Sequence, residues 1–458
     1  MKGRGEMGTG RALTEPSRRT EVLGEYDVVV LGGGMAGMAA AAAAGRDGAS
    51  VLVVERYGFL GGMGTAAGVT NFCGLHANVH GEIRQVVHGV TDDLLGRIDR
   101  LGGLRAPHDV FGKTWAQAYD TAAFKIAADD LLEAAGAEVL FHAVAAGVVM
   151  EEGGGRVSAL LIETRSGRRA VLGRVFVDAS GDGDLAAWAG APWELGDGEG
   201  GMLYPSTMFR LNAVEPGAAE ARAWEGIPAI MAAAERDEGI RFPRRTPIVR
   251  PQKNSIEWRA NVTQVANADG SAVDGTDALQ LSRGEIEGRR QIRDSFAFLR
   301  ARVPAFRNAY IVDIPPQLGL RETRRVLGDH VLTEEEVLGC ASFADTIGVN
   351  GWPVEAHVAG DVLFKWQDIP ASRGFNHLPY RMLLPRGLEN VLVAGRCASM
   401  THMGQSAARV SGACLVMGEA AGAAAAMVAR GNAGVRDVDV AALQERLERS
   451  GAFLGRMD

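Results

Sequence analysis

Three consecutive glycines near the start of the chain constrain its fold more than any other feature. They follow an apolar run at residues 26–31 and precede an alanine-rich segment, the order of a buried strand, a tight turn and a helix. Gly32, Gly34 and Gly37 match the spacing G-x-G-x-x-G, which lets a pyrophosphate approach the backbone and a helix pack on the strand. A helix beginning near Met35 would present free N–H groups to that phosphate. The pattern predicts a βαβ unit that binds a dinucleotide.

The second strand of this unit, residues 50–54, ends in an acid. Glu55 follows Gly37 by 18 residues (37 to 55), where a carboxylate can accept hydrogen bonds from a ribose hydroxyl. A further glycine pair, Gly61 and Gly62, comes just beyond, with Thr65 close behind. The acid strengthens the dinucleotide prediction, and the glycine pair adds a loop that a plain βαβ turn does not need.

Composition narrows the class of protein. A chain of 458 residues exceeds one compact core, so two or more lobes are expected. The net charge of −8 argues against nucleic acid as a partner. The four cysteines form no C-x-x-C pair, which excludes a zinc knuckle and a dithiol redox motif and fits a reducing, cytoplasmic location. No segment has the ~20 strongly apolar residues of a membrane span.

Two later segments resemble parts of the same nucleotide domain. Three strands over 138–142, 144–151 and 157–164 are predicted as a meander, followed by an apolar strand at 174–178 that enters the sequence DASGDGD. Near the C-terminus, a strand at 391–394 is broken by Gly395, and a long helix of small residues is predicted to begin near Gln405. Gly418 and Gly422 would let this helix lie close against its neighbours.

Together these segments resemble the family of single-FAD oxidoreductases related to the flavoprotein subunits of fumarate reductase and succinate dehydrogenase. The blocks at 288–337 and 378–385 extend the resemblance to nearly everything after residue 25. The resemblance implies an α/β fold: a Rossmann-like FAD-binding domain with a three-layer parallel sheet and an inserted α+β substrate domain. The arginine and histidine set of the fumarate reductase branch is not found here, so fumarate chemistry is not transferred. A second nucleotide fingerprint is also missing, which argues against a separate NAD(P)H domain.

The resemblance implies FAD as the cofactor, with the late helix directing its positive end at the flavin pyrimidine. The residues expected to bind FAD come from all three nucleotide segments: Gly32, Gly34, Met35, Ala36, Gly37, Glu55, Arg56, Gly61, Gly62, Met63, Thr65, Val144, Ala179, Gly181, Asp182, Gly395, Arg396, Gln405 and Ser406.

The expected organisation follows from the same segments. It comprises a disordered tail (1–24), the first part of the FAD-binding domain (25–205, with a helical excursion near 80–104), an inserted substrate domain (206–374) and the returning FAD-binding domain (375–458).

Catalytic candidates lie where the inserted domain meets the flavin. Arg321 and Arg324, taken as one face of a helix start, form a fork suited to a carboxylate, or they pair with acids to hold the lobe. His357 and His377 are candidates for moving a proton at neutral pH. Tyr380 and Arg381 follow His377. The favoured hypothesis is hydride transfer between a small organic substrate and flavin N5, with one histidine handling the proton and an arginine anchoring an acidic group.

Other interpretations stay open at this stage. Cys73 or His76 could tether the flavin covalently, although most flavoproteins hold FAD without a bond. Net non-redox chemistry, such as hydration or isomerisation, and an NAD-only dehydrogenase are alternative functions, and a non-catalytic FAD-binding partner is a third. The sequence identifies neither the substrate, the electron acceptor nor the oligomeric state.

Overall fold

The computed structural model describes residues 13–431 and 433–456. Its strands in chain order are β1 (Glu21–Leu31), β2 (Val51–Val54), β3 (Asn71–Phe72), β4 (His76–Val79), β5 (Glu82–Gln85), β6 (His108–Val110), β7 (Thr114–Ala118), β8 (Glu138–Leu140), β9 (Val144–Met150), β10 (Val157–Thr164), β11 (Gly167–Asp178), β12 (Trp193–Glu194), β13 (Phe209–Asn212), β14 (Ile248–Pro251), β15 (Trp258–Asn261), β16 (Tyr310–Asp313), β17 (Arg325–Val326), β18 (Thr346–Asn350), β19 (Val354–Val358), β20 (Asp361–Lys365), β21 (Asn376–Pro379) and β22 (Val391–Val393). The α-helices are α1 (Met35–Arg46), α2 (Met63–Ala66), α3 (Val90–Arg100), α4 (Thr121–Ala134), α5 (Asp184–Trp188), α6 (Ile227–Glu238), α7 (Ala278–Arg302), α8 (Glu334–Leu338), α9 (His402–Ala408), α10 (Ser411–Ala429) and α11 (Val440–Arg449).

A parallel sheet in the order β8-β2-β1-β11, with β22 also paired to β11, forms the centre of the α/β fold. The strands β2 and β22 are buried throughout, as are the last four residues of β11. Both faces of this sheet are covered, which explains the continuous apolar runs in these segments. The sheet gathers the carboxyl ends of its strands at one edge, and glycine-containing loops follow β1, β2, β11 and β22 there.

The meander differs from its prediction in one strand. β8 does not join it but pairs in parallel with β2 at the outer edge of the central sheet. His142, which follows β8, has a left-handed φ of 56°, and this turn separates β8 from the next strand. The meander is therefore β9-β10-β11, and the predicted strand at 174–178 is the second half of the longer β11.

The N-terminal segment is more ordered than expected at one end. β1 begins at Glu21, so residues 21–24, expected in a disordered tail, pair with β11. Residues 13–20 have no regular structure, and residues 1–12 of the expected tail lie outside the described residues. The extension arises because the first half of β11, which also pairs with β10 in the meander, runs beside residues 21–26 of β1.

Helices α1 and α10 pack unusually closely against each other. A Cβ atom on Gly418 would lie 2.1 Å from the carbonyl oxygen of Ala36, and one on Gly422 would lie 2.0 Å from that of Ala40. The alanine surface of α1 completes the contact. The prediction that these two glycines allow close helix packing is confirmed, and this packing fixes the first residues of both helices at the same end of the fold.

The inserted region has its own sheet, in the order β14-β15-β13-β16, and its own core. One face of β13, β14 and β15 carries Phe209, Val249 and Trp258 into that core, beneath α6 and α7. Alternation along a strand then directs Ile248, Arg250, Arg259 and Asn261 to the opposite face. That opposite face looks towards the central sheet.

The segment between α2 and α4 contains more than the helical excursion expected near 80–104. It holds α3 and two small antiparallel sheets, β3-β7-β6 and β4-β5. Among the described residues, only α10 is long and apolar enough to cross a membrane by length and composition, and 89% of its apolar window is buried inside the fold.

Candidate active site

A cavity of about 1010 Å³ lies between the carboxyl edge of the central sheet and the inserted lobe. One wall consists of residues at strand ends, including Leu31, Glu55, Ala179 and Gly395. The other consists of lobe residues and the hairpin β19-β20. Ligands of open α/β sheets bind at this edge, and the volume is at the top of the usual range for a ligand pocket, roughly 300–1,000 Å³.

The glycine loop after β1 lines the cavity with backbone. Gly32 has a φ of +96°, and a Cβ on it would lie 2.6 Å from the carbonyl oxygen of Ala179. A Cβ on Gly37 would lie 1.8 Å from the carbonyl oxygen of Gly32, so this glycine does not line the cavity but lets α1 start directly against the loop. The N-cap, Gly34, makes no side-chain cap, and the first turn of α1 holds no acid. Its N–H groups are left to bind an anion.

Glu55 joins this loop to the second strand. Its Oε2 accepts a hydrogen bond of 2.7 Å from the Gly33 N–H, and its Oε1 accepts one of 2.9 Å from the Tyr57 N–H. The carboxylate lines the cavity while it is fixed from two sides. Such a rigid acceptor suits the ribose hydroxyls of a dinucleotide.

The second glycine pair brings another stretch of backbone to the same place. Gly62 is the N-cap of α2, and a Cβ on it would lie 2.8 Å from the Cα of Gly34. Gly61 and Thr65 lie behind it, and the Thr65 hydroxyl donates to the Leu60 carbonyl at 2.7 Å. Two helix N-termini therefore open into the cavity side by side.

An ionic cluster closes the end of β11. The Asp182 carboxylate accepts a hydrogen bond of 2.9 Å from Arg396 and one of 3.1 Å from the Thr323 hydroxyl, and Arg56 lies 3.6 Å away. Arg56, Gly181 and Arg396 line the cavity, whereas Asp182 supports them from behind. The cluster holds two cationic side chains at the cavity wall.

The late helix begins at a different residue from the predicted one. α9 ends at Ala408, and the long helix α10 starts at Ser411 with Val410 as its N-cap. Val410 and Ser411 line the cavity, whereas Gln405 and Ser406 do not. The Gln405 amide instead donates to the Arg396 carbonyl at 2.8 Å. The sequence does not reveal this break, because the run of small residues continues across it.

Thirteen of the nineteen residues expected to bind FAD line the cavity: Gly32, Gly34, Met35, Ala36, Glu55, Arg56, Gly62, Met63, Val144, Ala179, Gly181, Gly395 and Arg396. The other six, Gly37, Gly61, Thr65, Asp182, Gln405 and Ser406, lie behind that wall.

These features fit a flavin dinucleotide. The cradle of Gly32, Gly34 and Gly62 would be filled by any side chain placed there, and uncapped helix N-termini face it. The Glu55 carboxylate stands beside the loop. The N-terminus of α10 reaches the cavity from the other side, where a positive dipole end stabilises an anion.

A histidine and a glutamate form a buried pair on the lobe side of the cavity. His357 Nε2 lies 3.0 Å from Glu355 Oε1, and the other carboxylate oxygen accepts a hydrogen bond of 2.8 Å from Trp352 Nε1. Burial raises the pKa of Glu355, but hydrogen bonds from His357 and Trp352 and the charge of Arg409 lower it to about 2. Glu355 is thus an anion that accepts a hydrogen bond from the His357 Nε2–H.

His357 is consequently neutral with a defined tautomer. Burial, and then the charge of Arg321, lower the pKa of His357 well below its ordinary value. Because a carboxylate only accepts hydrogen bonds, the network assigns the proton to Nε2 and the lone pair to Nδ1. This is the arrangement of a general base held by a carboxylate.

Arg321 and Arg409 flank this pair and line the cavity. Arg321 donates to the Tyr204 carbonyl at 2.8 Å, and Arg409 donates to the Glu355 carbonyl at 3.2 Å. Neither guanidinium lies within 4.0 Å of a carboxylate among the described residues. Both charges remain available to an anion in the cavity.

The helical start predicted for 321–325 is wrong. This stretch is extended and leads into β17, so Arg321 and Arg324 do not share a helix face. Arg324 pairs with Asp184 at 2.7 Å, and Arg325 pairs with Glu322. Of the three arginines, Arg321 alone lines the cavity, while the other two hold the lobe in place.

Three catalytic candidates lie elsewhere in the structure. His377 pairs with Val349 between β18 and β21, and its Nδ1 accepts a hydrogen bond of 3.3 Å from the Phe343 N–H. The Tyr380 hydroxyl donates to the Val435 carbonyl at 2.8 Å, and Arg381 pairs with Asp345 at 2.9 Å. None of the three lines the cavity. The segment re-enters the FAD-binding region beside β18 and away from the cavity, which position in the chain did not reveal.

The two tether candidates also separate. Cys73 lines the cavity beside the start of α10, and its N–H donates to the Ser411 hydroxyl at 2.8 Å. Burial raises the pKa of Cys73 to about 12, so its thiol is protonated. His76 does not line the cavity. A covalent tether at Cys73 stays an untested alternative.

Several cavity residues were missed in the sequence. Glu355 could have been found, since its spacing of two from His357 places both on one face of a strand. Arg409 is the C-cap of α9 and lies in the break between α9 and α10. Arg250 and Arg259 come from separate strands whose pairing no local pattern reveals.

The fold and the glycine-lined wall define a dinucleotide-binding α/β protein. The sequence profile of the FAD dependent oxidoreductases matches residues 27–447, so the chain belongs to that family. It is an oxidoreductase whose cofactor is FAD, and the NAD-only alternative is set aside. Comparison with curated proteins gives no match.

Solved structures give distant likenesses only. A geranylgeranyl bacteriochlorophyll reductase-like protein of Thermoplasma acidophilum is 14% identical, with 93% of this chain and 82% of that one covered and a TM-score of 0.45. The p-nitrophenol 4-monooxygenase of Pseudomonas putida is 11% identical, with 95% and 90% covered and a TM-score of 0.47. An L-amino acid deaminase of Proteus myxofaciens is 12% identical, with 92% and 93% covered and a TM-score of 0.45. None of these likenesses carries a conclusion about the substrate.

Proposed function

We propose that the enzyme transfers hydride between a small, carboxylate-bearing organic substrate and FAD. The observation that carries the proposal is the His357–Glu355 pair, which lines the same cavity as the glycine cradle and lies beside Arg321 and Arg409. When bound, FAD supplies a two-electron acceptor or donor at N5.

His357 would handle the proton that accompanies the hydride. In the oxidative direction, Nδ1 takes a proton from a substrate hydroxyl or amine as the neighbouring C–H bond is broken. The Glu355 carboxylate stabilises the imidazolium that forms and holds the ring in place. In the reductive direction the same nitrogen returns the proton.

Arg321 would anchor the substrate carboxylate. Its guanidinium is buried, fixed by one backbone carbonyl and near no carboxylate within 4.0 Å among the described residues. A charge-assisted hydrogen bond to a substrate carboxylate would satisfy it. The arginine would thereby fix which carbon lies nearest the cofactor.

The test is anaerobic mixing of the holoenzyme with a panel of hydroxy, amino and unsaturated carboxylic acids, followed by flavin absorbance. With an active compound, His357→Gln is expected to slow flavin reduction by roughly 10²–10⁴-fold while it retains FAD. His377→Gln is the matched control, a buried histidine outside the cavity, and should reduce at the parent rate. Equal rates in the parent enzyme and His357→Gln would refute the role of His357.

Product formation without any flavin bleaching would instead support the net non-redox alternative. The same panel therefore separates the two functions.

A further inference from the structure

The lobe face of the cavity carries a second group of arginines, apart from Arg321. Arg250 on β14 and Arg259 on β15 are directly opposite each other in the antiparallel register, and both line the cavity. Like charges directly opposite on neighbouring strands destabilise a sheet. A fold that keeps such a pair is expected to hold a negative charge between the two guanidinium groups.

The neighbouring arginine in the same row shows how this sheet normally neutralises a cation. Arg210 on β13 is opposite Arg259 on its other side, and it pairs with Glu257 at 2.7 Å and Asp313 at 3.3 Å. Among the described residues, neither Arg250 nor Arg259 has a carboxylate within 4.0 Å. The carboxylates that neutralise this row of arginines lie beside Arg210, and none lies beside Arg250 or Arg259.

The side chain of each of the two cavity arginines donates a single hydrogen bond within the described residues. Arg250 donates to its neighbour's carbonyl, that of Val249, at 2.8 Å. Arg259 donates to the Val69 carbonyl, and its Nε is buried without a partner. Arg259 is only 6% exposed, so that donor is shielded from bulk solvent. A buried, unpartnered cationic donor at a cavity wall points to an anionic ligand.

Arg105 and His108 complete the group from the segment around β6. Arg105 donates to the Pro251 carbonyl at 2.8 Å, at the end of β14, and lines the cavity. His108 Nδ1 is also buried without a partner. Burial, followed by the charges of Arg105, Arg259 and Arg250, lowers the pKa of His108 to about 4. It adds no further positive charge at neutral pH.

The acids that do line this part of the cavity are already engaged. Glu225 pairs with Arg222 at 2.6 Å. Asp109 accepts two hydrogen bonds of 3.0 Å from the Gly112 N–H at the tip of its hairpin. Neither carboxylate is within 4.0 Å of Arg250 or Arg259.

We propose that Arg250, Arg259 and Arg105 form a second anion-binding subsite, so that the substrate carries a second anionic group, a carboxylate or a phosphate, besides the one anchored by Arg321. This inference rests on the proposed function, because it assigns the class of substrate to the same cavity. The substrate lies between the two subsites, and its reacting carbon is placed by both ends.

Binding to the holoenzyme tests the subsite without any need for turnover. Titration calorimetry would compare α,ω-dicarboxylates from malonate to adipate with monocarboxylates of the same chain length. A parallel series of ω-phosphonocarboxylates distinguishes a phosphate-like second group. At least one dianion is expected to bind about tenfold more tightly than its matched monoanion, the gain of one charge-assisted contact. No preference in either series would overturn the proposal.

Variants locate the preference. Arg250→Gln and Arg259→Gln should each remove most of it while the monoanion dissociation constant changes less than about twofold. Arg210→Gln, in the same sheet row, is the control and should keep it. If Arg259→Gln loses FAD or unfolds, the half-buried Arg250 decides the question. A preference that survives Arg250→Gln overturns the subsite.

Arg321→Gln separates this inference from the proposed function. It should weaken monoanions and dianions alike. If it changes neither, the anchoring role of Arg321 is wrong, and the second subsite is then judged by the Arg250 and Arg259 variants alone.

Discussion

The two walls of the cavity meet their ligands with different parts of the chain. The nucleotide wall exposes backbone at the loop of Gly32 and Gly34, at the α2 N-terminus at Gly62 and at the start of α10, beside the Glu55 carboxylate. On the lobe wall they come from long charged side chains such as Arg259 and Arg321. Gly32 and Gly62 leave no room for a Cβ beside the neighbouring backbone, whereas the lobe wall can change its chemistry by single side-chain substitutions.

This difference separates what holds the cofactor from what selects the substrate. Backbone N–H groups and helix dipoles recognise a pyrophosphate, which every FAD shares. On the proposed function, arginines and a histidine of the lobe would bind the anion that the cavity receives. Changes on the first wall should therefore affect folding and FAD together, and changes on the second should affect the reaction alone.

The largest effect is expected from Gly37→Ala. The added Cβ would lie 1.8 Å from the carbonyl oxygen of Gly32, so α1 must move away from β1. We expect a loss of stability of about 3 kcal/mol or more, together with loss of bound FAD. Thermal unfolding and the flavin content of the purified protein measure both.

Gly226→Ala is the matched control, since nothing lies within 4 Å of its added Cβ and its φ is −77°. It should behave as the parent protein. If Gly37→Ala kept full FAD and stability, the nucleotide wall would not depend on the close contact between α1 and the glycine loop.

The next effect is expected from Glu355→Gln on the lobe wall. An amide cannot accept from both Trp352 Nε1 and His357 Nε2 with two oxygens, and it no longer stabilises an imidazolium. Flavin reduction should slow by roughly 10–100-fold, while the FAD dissociation constant stays the same. Anaerobic stopped-flow kinetics and FAD titration measure the two quantities.

Glu257→Gln serves as its control, because that acid pairs with Arg210 away from the cavity. A parallel loss of FAD in Glu355→Gln would mean that the two walls are not independent.

A smaller effect, with the opposite pattern, is expected from Glu55→Gln. The amide nitrogen would face either the Gly33 N–H or the Tyr57 N–H, each of which now donates to a carboxylate oxygen. FAD should bind about tenfold more weakly, the loss of one hydrogen bond to a charged group. The reduction rate at saturating FAD should stay within twofold of the parent rate, and a slower rate would contradict the separation of roles.

The same difference explains what could be predicted from the sequence. The spacing of Gly32, Gly34 and Gly37 is local, so one short stretch of sequence predicts the first loop of the nucleotide wall. The Arg250 and Arg259 pair depends on the register of two strands in another domain. His377 was favoured because it precedes the last central strand, yet its strand β21 pairs with β18 and His377 does not line the cavity.

The predicted helix near Gln405 failed for a related reason. Composition cannot show the break at Val410 between two segments of small residues. Local patterns thus predicted the helix, strand and loop types of residues 26–56, while positions set by long-range packing needed the structure.

The smallest effect concerns a residue of α10 that lies outside both walls of the cavity. Glu419 on α10 is buried, where its carboxylate accepts hydrogen bonds from the Val90 N–H at 3.1 Å and the Ser450 hydroxyl at 2.9 Å. Burial raises the pKa of Glu419 from 4.5 to about 7. The folded protein therefore holds this proton over a pH range in which the unfolded chain has lost it, so the free energy of unfolding falls as the pH rises from 4.5 to 7.

Glu419→Gln should remove that slope and be more stable than the parent at pH 8 by about 1 kcal/mol, as measured by denaturant unfolding at several pH values. Flavin reduction should show the same pH profile in the two proteins, because Glu419 does not line the cavity. An altered profile would show that the helix transmits charge to the cavity and would break the distinction between stability and chemistry drawn from the two walls.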